Sequence, residues 1–107
     1  MSLKTIEVQG DGIVDIAEAL SSRAKFRIVQ LLSKESLDIS TIAKRLQISE
    51  AYVSEEVTSL ERHAIIRTSY ERGKRGVRKV CTLAVGKIVI NLASGDPDIT
   101  QRPQSEL

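Results

Sequence analysis

Between residues 39 and 60 the apolar side chains leave few folds open. Ile39, Ile42, Ala43 and Leu46 recur at helical spacing, and so do Val53, Val57 and Leu60. Gln47 and Ile48 between them leave room only for a tight turn. The spacing predicts two short helices that cross closely. The crossing needs a small residue, which Ala43 supplies, while Ile42, Leu46, Val53 and Val57 fill the wedge and Ile48 plugs the turn. Ser40 is expected to cap a first helix over about 41–46, and Ser49 a second over about 50–63. The hydroxyl of Ser49 would accept from the free N–H groups of the second helix. Gln47 stands where the chain can enter the left-handed region, a place that glycine commonly fills.

Upstream, residues 4–9 alternate around Ile6 and Val8 and read as a short strand or extended arm, broken by Gly10-Asp11-Gly12. Ile13, Ile16, Ala17 and Leu20 mark a helix over 13–20 with one apolar face. A stronger helix follows over about 22–34. Ala24, Ile28, Leu31 and Leu32 form its buried stripe, Phe26 and Val29 widen it, and Arg23, Lys25 and Arg27 face outward. Leu37-Asp38-Ile39 is a brief extended link. From Ala64 the period changes to two, and Ile66, Thr68 and Tyr70 share a face, with Tyr70 expected to pack on the sheet in preference to stacking on a sugar. Gly73 to Gly76 reads as a hairpin turn and Gly76 to Leu83 as the returning strand. Gly86 to Leu92 suits a third strand or a terminal dimerisation helix, and β-branched Ile88, Val89 and Ile90 favour the strand. Residues 94–107 read as a loose tail, leaving one domain over 1–93.

A chain of 107 residues can bury one core without metal or disulfide support. The net charge of +2 is too small to announce a polyanionic partner, but its distribution is uneven. Residues 72–79 hold five basic side chains and no acid, whereas residues 50–61 hold four acids and no base. The single cysteine, Cys81, excludes an intrachain disulfide and fits a reducing cytosol. No apolar run approaches the ~20 residues of a membrane span. The opening Met1-Ser2-Leu3-Lys4 lacks the apolar core of a signal peptide. The sequence therefore reads as soluble and cytoplasmic. Neither a nucleophile elbow nor a phosphate loop is present, and no set of metal ligands or cofactor motif appears. An enzyme is not expected. The lone histidine, His63, suits a helix C-terminus better than a metal.

Two helices at this spacing, followed by a basic hairpin punctuated by glycine, outline a helix-turn-helix with a wing. Such a pair places its second helix in the DNA major groove. Ser49, Tyr52, Ser54 and Thr58 then offer donors to phosphates and base edges, and Glu55 an acceptor for cytosine N4. Arg72, Lys74, Arg75, Arg78 and Lys79 would grip phosphates or enter the minor groove. The acids Glu50, Glu55, Glu56 and Glu61 oppose this, since DNA is a polyanion. Pairing with Lys44, Arg45 or Arg62 would relieve them.

Residues 19–32, Ala-Leu-Ser-Ser-Arg-Ala-Lys-Phe-Arg-Ile-Val-Gln-Leu-Leu, resemble the signature helix of ArsR-type winged-helix regulators, and Ile39 to Glu61 resembles that family's helix-turn-helix. The segment Arg72 to Cys81 resembles a subset of archaeal regulators of this broad class. The resemblance covers about residues 13–83 and implies a homodimeric transcriptional regulator, often a repressor, on a pseudo-palindromic site. Metal-sensing members carry cysteines on the first helix of the motif, where this chain has Ser36-Leu37-Asp38-Ile39-Ser40, so metal sensing is not carried over.

The expected fold is α+β and mainly helical: a winged helix-turn-helix with a two-stranded β wing and short terminal strand or helix extensions. The expected partners are double-stranded DNA and a second copy, with no membrane. Ile13, Ile16 and Leu20, or Ile88, Ile90 and Leu92, are the candidate dimer interface. Two rival readings remain: a winged-helix module that binds protein and has lost DNA, and a switch driven by a small-molecule effector held between protomers.

Overall fold

The computed structural model describes residues 3–93, and the expected tail over 94–107 lies outside them. Strand β1 (Lys4–Gln9) leads through Gly10, at φ 59°, into helix α1 (Asp11–Ala19). Helix α2 (Arg23–Leu32) starts where Ser22 Oγ accepts from the Lys25 N–H at 3.0 Å. The two-residue strand β2 (Leu37–Asp38) delivers the chain to helix α3 (Ile39–Leu46), and helix α4 (Glu50–Arg62) follows after a three-residue turn. Strands β3 (Ile66–Gly73) and β4 (Gly76–Leu83) form the hairpin, and β5 (Val85–Asn91) completes the described chain.

The turn between α3 and α4 follows from its residues. Gln47 takes the left-handed conformation, φ 59° and ψ 45°, and lets the Ile48 N–H reach back to the Ala43 carbonyl at 3.1 Å. Ser49 Oγ then accepts from the Tyr52 N–H at 3.0 Å and starts α4. Ile42, Val53, Val57 and Leu60 are fully buried where the helices meet, and Ala43 is nearly so. Ile28 and Leu32 of α2, Ile16 and Ala19 of α1, and Ile65, Ile66, Cys81 and Leu83 close the same core. The helix expected at 13–20 begins two residues earlier. The cap of α3 is a correction: it is Asp38, whose Oδ1 accepts from the Thr41 N–H at 2.7 Å, and not Ser40. Ser40 lies one residue inside the helix.

Two sheets form. The order β2-β4-β3 is antiparallel throughout, with Leu37 opposite Cys81 and Ile66 opposite Leu83. Its base packs on the core, and beyond Tyr70 the hairpin runs into solvent. Tyr70 is therefore 70 % exposed and does not pack, contrary to expectation. Phe26 is a third correction. It lies 50 % exposed on α2, because Ile28 and Leu32 already fill the helix's buried face.

At Ala84 the chain leaves the wing sheet. The Ile65 carbonyl accepts from both Ala84 and Val85 N–H groups, at 2.9 and 3.2 Å, and fixes the bend. Residues 85–91 then form a strand, the favoured reading. It pairs in parallel with β1, from Thr5 opposite Lys87 to Gln9 opposite Asn91. Among the described residues this second sheet has two strands.

Candidate nucleic-acid interface

The sequence elements expected to meet DNA converge on one side. A groove of about 970 Å³ is lined by Asp38, Ile39 and Ser40 at the start of α3, by Glu50 at the start of α4, and by residues 72–79 of the wing. The wing turn is short. Gly73 pairs with Gly76, and Lys74 and Arg75 alone occupy the loop. Gly76 takes φ 110°, which a side chain resists, so the turn closes without strain. Arg72, Lys74 and Arg75 are exposed at this tip. Lys79 is half-buried near the root.

Arg78 behaves differently from its neighbours. Its guanidinium donates to Asp38 Oδ2 at 3.1 Å and to Glu71 Oε1 at 3.5 Å. Its stem lies over Gly73, where a Cβ would approach Arg78 Cγ and Cδ to 3.1 Å. Arg78 thus ties the wing to the first residues of the helix-turn-helix. The Thr41 hydroxyl and backbone N–H hold the Asp38 carboxyl below its ordinary range; burial opposes them and Arg78 adds to them. Asp38 both caps α3 and anchors the wing, a double role the sequence reading missed. Asp38 followed by Thr41 three residues on was the available signal, obscured by Ser40.

On α4, Ala51, Glu55, Thr58 and Arg62 are exposed at i, i+4, i+7 and i+11, with Tyr52 beside them. Ser54 is half-buried. The Thr58 hydroxyl donates back to the Ser54 carbonyl at 2.9 Å, which leaves it acceptor capacity for a ligand. The acids separate into two pairs. Glu56 accepts from the Ser22 hydroxyl at 3.2 Å, and Glu61 from the Thr68 hydroxyl at 2.7 Å. Glu50 borders the groove and lies in the first turn of α4, where the helix dipole favours a negative charge. Glu55 is the acid on the outer stripe. The expected relief by Lys44, Arg45 or Arg62 does not occur: Arg45 pairs with Glu35 at 3.2 Å, and among the described residues no ion pair joins Lys44 or Arg62 to an α4 acid.

The remaining candidates fall elsewhere. Ile16 is buried in the protomer's own core and is not free for an interface; Ile13, Leu20 and Ile88 are half-buried, whereas Ile90 is 46 % and Leu92 85 % exposed. His63 is the C-cap of α4, its Nδ1 2.9 Å from the Ser59 carbonyl. Cys81 is buried, and burial pushes its thiol up to about 11, with lesser effects from Lys79, Glu61 and Asp38. Among the described residues no cluster of metal-ligating side chains forms, and no helix is long and apolar enough to cross a membrane.

No protein-family model matches the chain, and no curated protein matches it in sequence. Solved structures do. HlyU from Vibrio cholerae superposes with a TM-score of 0.61 at 20 % identity, over 68 % of this chain and 75 % of that one. A homodimeric winged helix-turn-helix DNA-binding domain from Mycobacterium bovis, described as a possible ArsR-family regulator, gives 0.61 at 19 % identity, over 69 % and 65 %. The transcriptional repressor BigR from Xylella fastidiosa gives 0.57 at 15 % identity, over 68 % and 70 %. These likenesses are of fold. The chain has the winged helix-turn-helix fold found in ArsR-family transcriptional regulators.

Proposed function

We propose that this protein is a sequence-specific DNA-binding transcriptional regulator that works as a homodimer, with α4 in the major groove and the wing on the backbone or in the minor groove. The observation that carries the reading is the shared opening of two surfaces. The exposed cations Arg72, Lys74 and Arg75 project from the wing, and the groove at its root runs to the N-terminus of α4, whose outer stripe carries Tyr52, Glu55 and Thr58. Phosphates attract the first surface and base edges suit the second. Glu56 and Glu61 keep their charge but are tied to Ser22 and Thr68 of the protomer, which leaves Glu50 and Glu55 as the α4 acids free to meet a duplex. Glu55 then discriminates by accepting from cytosine N4, and the wing supplies most of the affinity. Repression is the simpler mode, since an occupied operator excludes other proteins. The nearest rival is a protein-binding module, favoured by the exposure of Glu55 beside Tyr52.

Selection of duplexes from a random pool at low salt tests the proposal. Enrichment of a two-fold related sequence with half-sites about one helical turn apart, ~34 Å, is the expected result. Failure to retain any duplex at low salt would leave the protein-binding reading in its place.

A further inference from the structure

The β1–β5 sheet is an incomplete structure by its own physics. Parallel strands are ordinarily covered on both faces and paired on both sides, and a two-stranded sheet in water is marginal. Here both outer edges lack a strand among the described residues. The two edges differ in character. β1 carries Lys4 and Glu7 along its six residues, charges that blunt a strand edge. β5, Val-Gly-Lys-Ile-Val-Ile-Asn, carries one charge and three consecutive β-branched residues, and the exposed Leu92 follows it. It has the composition of a strand that pairs.

We infer that β5 pairs edge to edge with β5 of a second copy, antiparallel about Val89, giving a four-stranded sheet of order β1-β5-β5-β1 across the dimer axis. The inference deepens the homodimer reading and rests on it. A two-fold axis through Val89 sets each residue opposite a defined one of the second copy. Ile88 meets Ile90 on one face. Leu92 meets Gly86, over which Leu3 already lies: a Cβ on Gly86 would come within 2.8 Å of Leu3 Cβ. The exposed Leu92 therefore lands on Leu3, itself 45 % exposed. On the other face Lys87 meets Asn91, whose side-chain amide donates to Glu7 at 2.7 Å, so each lysine arrives beside the other copy's Glu7 carboxylate. The register leaves no like charges opposed. The same operation on β1 about Glu7 would set two carboxylates face to face, which disfavours that register of the β1 edge. Both sets of apolar exposure and both charges are satisfied by one operation, and a second copy of this chain is the partner that supplies it.

Sedimentation velocity on the full chain tests the pairing. The parent is expected to dimerise. Val89→Lys and Val89→Glu, each alone, place like charges at the axis and raise the dimer dissociation constant about tenfold or more, the glutamate variant further because Glu7 already lies opposite Val89 within each protomer. An equimolar mixture of the two recovers the dimer as a heterodimer. Leu92→Arg, at a position too exposed to disturb the protomer, weakens the dimer without lowering the helical circular dichroism signal. A parent that stays monomeric at all concentrations would overturn the homodimer reading and this inference together. A dimer indifferent to Val89→Lys and Leu92→Arg, or a mixture that fails to recover it, would overturn the strand pairing and leave a DNA-binding dimer built on another surface.

Discussion

Gln47 holds a conformation that L-residues resist, and it does so because the turn between α3 and α4 leaves no alternative. The left-handed region costs a residue with a Cβ about 1–2 kcal/mol, partly offset because glycine loses more chain entropy on folding. Gln47→Gly should therefore stabilise the fold by about 0.5–1 kcal/mol in denaturant unfolding, and Gln47→Val, with a branched Cβ, should destabilise it. Asp38 gives a pH prediction. Its carboxyl is held below the ordinary value in the folded chain, so the ionised form stabilises the fold. That contribution is fully present above the unfolded value of about 3.9 and is lost as pH falls through the lower folded value. Stability measured from pH 6 to 2 should decline less steeply for Asp38→Asn than for the parent, because asparagine keeps the cap but does not titrate. Cys81 is the converse case, a thiol kept neutral by burial. Alkylation at pH 8 should be negligible in the native protein and prompt after unfolding, and a native thiol that reacts at the free-cysteine rate would refute the assigned environment.

At the scale of elements, the wing is tied to the helix-turn-helix twice, by the pairing of β2 with β4 and by Arg78 on Asp38. Arg78 and Arg75 look alike in the sequence, three residues apart in one basic run. Only the fold separates them: Arg78 reaches a partner forty residues away, and Arg75 sits on the turn. Arg75→Ala should weaken DNA binding and reduce the slope of log affinity against log salt by roughly one. Arg78→Ala should lower thermal stability and change the salt slope less, since its charge is already met by Asp38 and Glu71. On α4, Glu55→Gln should strengthen binding or shift base preference, because it removes one repulsive charge and gives a side chain suited to adenine.

Over the whole molecule, what the sequence made legible was local. The stripes of α3 and α4, the Ser49 cap, the turn at Gly73 to Gly76 with its returning strand to Leu83, and the basic tip all follow from short-range spacing. The parts that were hidden depend on residues far apart in the chain. The exposure of Phe26 depends on how much of α2 the core can cover. The engagement of Glu56 and Glu61 depends on Ser22 and Thr68, brought in by other elements. The parallel pairing of β1 with β5 joins the two ends of the domain, and no periodicity announces it. These long-range contacts also bear on the proposed division of labour, because they engage Arg78 on the wing and half the acids on α4. Fluorescence anisotropy of a labelled duplex over a salt series measures that division directly, comparing the parent with Arg72→Ala/Lys74→Ala/Arg75→Ala. Tight binding of the parent at low salt is expected, with a slope shallower by about two to three in the triple variant, near 0.9 per lost phosphate contact. An unchanged slope and affinity in a triple variant that remains folded would contradict it.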